Sequence, residues 1–401
     1  MTIVEKLETK ISAECDVLVC GGGFAGISAA LAAARQGKKV MLLEKQYMLG
    51  GLGTAGLITI YLPICDGLGH QVCFGIAEEL LHLSISMGCE DRYPANWLDS
   101  NDPSLRTEND KRFSVQYNPQ LFAILAEQLL IKNGVEIFYG AYAVGVSKNA
   151  DRIEAVIIES KTGREAIRVK SVVDASGDCD IARFAEAPTE TFKQGNVLAA
   201  WYYGHGKDGY KLHKLGFADV PDDQKTEGKE VELLVPRRFD GLEGMELSQM
   251  MQLSHLSTLN DILKKRADDP ELVPVTMATT PQIRMTRRIV GEYTLHDTEM
   301  HKYFADSIGM VPDWRKRGPI YEVPFTSLYS AKVKNLITAG RCTSVTDSMW
   351  DIMRVIPCCA VTGEAAGIAA AMTDDFSALD ISALQQRLIE KGVKLHETEI
   401  L

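Results

Sequence analysis

The chain has 401 residues, 46% of them hydrophobic and 24% charged, with a formal net charge of −11. That length can build two substantial cores, and the acidic balance argues against a nucleic-acid partner, which needs a basic face. No apolar run reaches the ~18 residues of a membrane span, and the opening MTIVEKLETKISAE lacks an apolar signal core, so a cytoplasmic location away from membranes is expected.

The first informative stretch is 17–44, VLVCGGGFAGISAALAAARQGKKVMLLE. Val17–Val19 is a short β-branched strand, Gly21, Gly23 and Gly26 form G-x-G-x-x-G, an Ala-rich helix follows, and the strand Val40–Leu43 ends on Glu44. This spacing predicts a dinucleotide-binding βαβ unit. Gly21 permits a tight turn, Gly23 lets backbone approach a pyrophosphate, and Gly26 lets helix and strand pack closely. Amides at the helix start meet phosphate charge, and Glu44 can accept hydrogen bonds from a ribose. Ala30, Ala34, Gly37 and Val40 fall where such a unit needs small or apolar residues. Gly51, Gly53 and Gly56 repeat the spacing, but no new strand leads into them. The β-branched LITIYLPI that follows, with Pro63 inside it, is not a helix start. They read as a Gly-rich loop beside the cofactor, which leaves one nucleotide unit.

Residues 76–90 have an amphipathic helix pattern, and 91–111 form a polar excursion with Pro94 and Pro103. Asn118 and Pro119 mark a helix start that ends at Gly134. A strand and an antiparallel meander come next, with turns at Asn149–Asp151 and Thr162–Gly163, closing in the buried strand Ser171–Asp174. Residues 190–330 hold most of the aromatic and charged irregularity and no nucleotide motif, so they read as a substrate domain. Within them, the alternation of QIRMTRRIVGEY puts Arg284, Thr286 and Arg288 on one strand face and Arg287 on the other. Arginines this close can grip a carboxylate; an ion-paired or solvated strand accounts for them as well. LITAG at 336–340 is a further buried strand, Pro357 introduces the Ala-rich helix CCAVTGEAAGIAAAM, and DISALQQRLIEKG is a capped amphipathic helix. Nine cysteines at 15, 20, 65, 73, 89, 179, 342, 358 and 359 show no C-x-x-C and no zinc or iron–sulfur spacing. No metal is expected, and most of them read as small buried hydrophobes.

In order along the chain, VLVCGGGFAGISAALAAARQGKKVMLLEK, LGG at 49–51, DASGD at 174–178, AGRC at 339–342 and GEAAGIAAA at 363–371 resemble FAD-dependent oxidoreductases of the glutathione-reductase-like superfamily. QIRMTRRIVGEYTL and RVIPCCAVTGEAAGIAAAM are similar to a narrower, mostly uncharacterised bacterial group of them. The resemblance implies an α/β fold with a Rossmann-like FAD-binding domain, parallel sheet plus antiparallel meander, assembled from 10–62, 112–190 and 331–375. A discontinuous sheet-containing substrate or cap domain would come from 63–111 and 191–330, and a C-terminal helix from 376–401.

The same resemblance implies FAD along Gly21, Gly23, Phe24, Ala25 and Gly26. Glu44, with Lys45 beside it, would meet the adenosine ribose, and main chain at Ala143 the adenine. Gly50, Gly51 and Thr54 belong to the Gly-rich loop. Ala175, Ser176 and Gly177 would turn beside the cofactor, with Gly340 and Arg341 near the pyrophosphate and ribityl chain. Residues 354–359, including Pro357 and Cys358, would meet the flavin. Arg354, Arg287 and Arg284 are the candidate catalytic residues. Asp66, Tyr293 and the histidines are proton-transfer candidates, none singled out.

Departures narrow the chemistry. Arg341 stands where many superfamily members carry an acidic residue. Residues 52–64 lack the cysteine pair of disulfide reductases, and 49–63 lack a histidine for flavin attachment, so non-covalent FAD is expected. The implied function is oxidation of an unidentified small molecule, with FAD taking up hydride or electrons. Two other readings share the fold. One is an electron-passing flavin subunit of a larger complex. The other is a thiazole-synthase-like enzyme without net substrate oxidation, for which Cys358–Cys359 is the suggestive pair. A homo-oligomer or an electron-transfer partner is compatible with the chain.

Overall fold

The computed structural model describes residues 2–88, 93–94, 97, 113–216 and 233–401. Its central sheet holds β1 (Lys10–Cys20), β2 (Val40–Glu44), β3 (Glu136–Tyr139), β4 (Tyr142–Asn149), β5 (Arg152–Ser160), β6 (Gly163–Asp174) and β7 (Leu336–Thr338). The order is β3-β2-β1-β6-β5-β4, with β7 also paired to β6. β1 runs parallel to β2 and, from Lys10↔Glu165 to Cys20↔Asp174, parallel to β6. The first half of β6 is antiparallel to β5, and its last three residues, Val172–Asp174, are parallel to β7. One strand therefore joins the meander to the parallel sheet.

Both β1 and β6 are longer than their apolar signals, Val17–Val19 and Ser171–Asp174. The outer half of β1 is mostly exposed, and the outer half of β6 is only partly buried, so hydrophobicity marks only the ends nearest the core. Turn chemistry was a better guide. Ala150 and Gly163 take left-handed backbone at the two meander turns. Asn118 accepts from Gln120 N and Leu121 N at 3.0 and 3.1 Å, capping the helix Pro119–Lys132.

The helix Phe24–Arg35 lies against the helix Ile356–Met372, and glycines set their spacing. A Cβ at Gly363 would lie 2.3 Å from the Ala25 carbonyl oxygen, and one at Gly367 2.2 Å from that of Ala29. The two backbones thus touch, which brings the end of the chain onto the first βαβ unit.

The stretch 191–330 does not fold as one piece. Part of it forms a three-stranded sheet of Tyr202–Gly206, Gly209–His213 and Val273–Met277, apart from the central sheet, with the helix Gly244–Lys265. The hairpin of Ser307–Pro312 and Ile320–Pro324 is buried and shares the main core through Ile308, Val311, Tyr321 and Val323. The helix Ile76–Ile85 packs on Ile356–Met372 in that same core, although its sequence position suggested the cap. Most of the polar excursion at 91–111, and Cys89, lie outside the described residues. Among the described residues no single helix is long and apolar enough to cross a membrane.

Candidate active site

The three motif glycines have three different jobs. Gly21 (φ 108°) donates to Leu43 O at 2.8 Å, and a Cβ there would lie 2.3 Å from Ala175 O. At Gly26 a Cβ would lie 1.8 Å from Gly21 O. Gly23 has ordinary φ of −70°, and a Cβ there would meet nothing within 4 Å. The protein itself therefore demands glycine at 21 and 26, while the space in front of Gly23 is left for something else. Gly23 is also the N-cap of Phe24–Arg35, and no side chain caps that helix start. Uncapped amides facing open space suit an anion.

The Gly-rich loop closes over this turn, as its failure to read as a second nucleotide unit suggested. Gly50 N donates to Gly22 O at 2.7 Å, and a Cβ on Gly51 would come 3.2 Å from the Gly23 Cα. Thr54, expected at the cofactor, is instead buried, with its hydroxyl donating to Leu49 O at 2.5 Å, so it braces the loop from behind. Glu44 accepts from Gly22 N and Gln46 N, both at 2.8 Å, and burial raises its pKa. Each of its oxygens already holds one amide. A ribose would share the remaining lone pairs.

A cavity of about 320 Å³ runs along these residues. Gly21, Gly23, Phe24, Ala25, Glu44, Lys45, Gly50 and Gly51 line one part; Ala143, Ala175, Ser176, Gly177 and Arg341 line another; Arg354, Ile356 and Cys359 complete the wall. Gly26 and Gly340 lie behind it and serve packing. At Gly340 (φ 66°) a Cβ would stand 2.8 Å from that of Ala25. Pro357 and Cys358 are also off the wall. The helix begins at Ile356, capped at Val355, one residue earlier than Pro357 suggested. That phase turns Cys358 fully into the core and Cys359 to the cavity. Cys359 lies within the expected stretch 354–359, whereas Ile283 and Asp178 are wall residues that the sequence did not single out.

The arginines separate. Arg287, expected to be catalytic, bonds Asp180 Oδ1 at 2.8 Å and the Asp178 carbonyl at 3.0 Å, so it braces the DASGD turn. Arg288 pairs with Glu190 at 2.6 Å and lies over Trp350. Only Arg287–Ile289 of the expected strand forms a ladder, against Thr189–Thr191. Arg341 donates to the carbonyls of Ile283 and Arg284 at 2.9 and 3.0 Å. Arg354 lines the cavity while its Nε and one Nη hold Asp351 Oδ1, the former at 2.9 Å. Arg284 is buried beneath the cap, its guanidinium 5.5 Å from the Trp201 ring centre.

Of the proton-transfer candidates, Asp66 bonds His70 at 2.8 Å, Tyr293 bonds Glu299 and Lys302, and His301 bonds Glu397 at 2.7 Å. None of these lines the cavity. Asp174, Cys179 and Cys342 cluster beneath the DASGD turn. There Asp174 accepts from Ser176 and from Ala182 N, which explains the cluster as a hydrogen-bonded turn.

A model of the FAD dependent oxidoreductase family matches residues 16–200 and 202–388. The chain belongs to that family. The family binds FAD, and the Gly23 turn with the uncapped helix start behind it has backbone geometry of the kind that suits a phosphate. Over 72 residues this flavoenzyme is 32% identical to a thioredoxin reductase of Ureaplasma parvum serovar 3, a match spanning 18% of this chain and 23% of that one. It is similar in fold to a geranylgeranyl bacteriochlorophyll reductase-like protein of Thermoplasma acidophilum (TM-score 0.46, 13% identity, 94% of this chain, 82% of that one). It is similarly related to p-nitrophenol 4-monooxygenase of Pseudomonas putida DLL-E4 (TM-score 0.47, 12% identity, 94% and 84%). Neither likeness carries a substrate to this flavoenzyme.

Proposed function

We propose that this FAD-dependent oxidoreductase oxidises a small molecule at a non-covalently held FAD, and that it is one of the narrower bacterial group within the glutathione-reductase-like superfamily. The observation that carries the reading is the wall formed by Arg354 and the start of Ile356–Met372. No side chain caps that start, and Pro357 occupies its first turn, where a missing N–H costs nothing. Bound FAD supplies the redox chemistry, accepting hydride or electrons and gaining negative charge in its ring. Free amides at a helix N-terminus stabilise such charge without having to reorganise. The Arg354 guanidinium adds to this, fixed by Asp351 so that it need not be ordered when charge arrives. Ala175–Gly177 and Arg341 would hold the chain between phosphates and ring.

Sulfur donation of the thiazole-synthase kind needs an activated, accessible thiol. Here burial pushes the Cys359 thiol up to about 12 and raises Cys358 as well, the reverse of activation. Purified protein should be yellow, bleach on anaerobic reduction, and release all its colour on acid denaturation. Colourless protein carrying a nicotinamide-derived adduct would overturn the redox reading. Colour that stays with the denatured chain would overturn non-covalent binding.

A further inference from the structure

Arg284 is 6% exposed, and no carboxylate among the described residues lies within ion-pair distance of it. The only hydrogen bond its guanidinium makes among them is a long one, 3.5 Å to the Gln282 carbonyl. The backbone there is firmly set: Asn196 Oδ1 accepts from Arg284 N at 3.1 Å and from Met285 N at 3.0 Å. The stretch of main chain that carries the side chain is thus fixed. Its nearest charged neighbours make matters worse. Burial, then Arg354 and Arg341, lower its pKa to about 9, which still leaves it charged at neutral pH. Asp351 offers little relief, because it is already shared by Arg354 and, at 3.6 Å, Arg315.

An arginine held this way is costly unless an anion completes it. Its planar fork matches a carboxylate in two parallel hydrogen bonds. The place is also informative. Ile283, Arg341 and Arg354 line the cavity, Arg341 donates to the Arg284 carbonyl at 3.0 Å, and the Arg284 guanidinium lies 5.5 Å from the Trp201 ring centre. We propose that Arg284 anchors a carboxylate of the substrate at the seam between the cap and the FAD cavity. This rests on the flavoenzyme reading above and names its substrate class, a small carboxylic acid. The phosphates of FAD are a poorer match, since the Gly23 turn with its uncapped helix start already suits them.

The test is a titration of the FAD-loaded protein with acetate, malonate and succinate, with acetamide as the neutral control, read by flavin absorbance and calorimetry. At least one carboxylate should bind saturably and shift the spectrum, and acetamide should not. Arg284→Met should weaken that binding at least tenfold. It should also melt higher than the parent in anion-poor buffer, because it removes an uncompensated buried charge. If Arg284→Met folds poorly, Arg284→Lys keeps the charge, loses the fork, and should still bind several-fold more weakly. Absence of saturable carboxylate binding, or equal binding in both variants, overturns the anchor. So does a carboxylate that binds apoprotein and is expelled when FAD is loaded, which would assign the charge to the cofactor. FAD content is measured separately. Protein without FAD defeats the flavoenzyme reading, while carboxylate binding to that apoprotein still decides the role of Arg284.

Discussion

A Cβ at Gly26 would collide with the Gly21 carbonyl at 1.8 Å, whereas one at Gly23 would meet no protein atom within 4 Å. Substitutions at these two motif positions should therefore fail differently. Gly26→Ala should cost about 1–3 kcal/mol of stability, seen in urea unfolding, because backbone must shift. Gly23→Val should leave the urea midpoint of the FAD-free protein nearly unchanged and abolish FAD binding, read as the ratio of 450 to 280 nm absorbance. A Gly23→Val protein that stays yellow would remove the pyrophosphate from this turn. Glu364 gives a pH prediction at the same scale. It is 3% exposed, accepts from Ile76 N at 2.8 Å, and burial raises its pKa from 4.5 to about 7. The folded state then holds its proton more tightly than the unfolded state. This stabilisation is complete below about pH 4.5 and is lost as pH rises through about 7, on the order of 3 kcal/mol in all. Glu364→Gln keeps an acceptor for Ile76 and removes the charge. Its urea midpoint should exceed that of the parent at pH 8 and approach it at pH 5. A midpoint below the parent at pH 8 would show that the ionised carboxylate is compensated.

At the scale of elements, Ile356–Met372 does two things, and each can be tested alone. Its Gly363 and Gly367 let it touch Phe24–Arg35, so Gly367→Ala, at 2.2 Å from Ala29 O, should destabilise by about 1–3 kcal/mol without changing the flavin potential. Its uncapped start and Arg354 should tune that potential. In the pair Asp351→Asn/Arg354→Gln, which removes both charges of that ion pair together, the two-electron midpoint should fall by roughly 20–40 mV, equivalent to about 1–2 kcal/mol. An unchanged midpoint would remove Arg354 from flavin tuning. Elements whose signals are local were legible in the sequence. The glycine spacing reports backbone collisions directly, and Asn118–Pro119 and the meander turns are decided by residues next to one another. Arginine partners were not legible, because Arg287 meets Asp180 from 107 positions away. The Cys358–Cys359 pair failed for a subtler reason. Adjacent residues of a helix face about 100° apart, so one thiol of the pair meets the cavity and the other the core, and spacing alone does not tell which.

For the whole molecule, the cavity wall draws on residues from both ends of the chain, from Cys20 to Cys359. FAD therefore binds the assembled state and not the unfolded chain, and loading at ~100 times Kd should add about 2.7 kcal/mol of stability. Thermal melts with and without added FAD should show a rise of several degrees; equal melts would mean that FAD does not bind the folded state in preference to the unfolded chain. The double pairing of β6 has one more consequence, in time. Val172–Asp174 lie between β1 and β7, but Leu336 is made about 160 residues after Asp174. At ribosomal rates of ~5–20 residues per second, that edge waits roughly 10–30 s for its neighbour, an open apolar strand on a nascent chain. Through that interval the helix carrying Ile356 does not yet exist. A growing chain can shape the Gly21–Gly26 turn early, but the cavity wall is complete only once residues 354–359 have been made, and until Leu336 arrives the waiting edge is open to pairing with another chain.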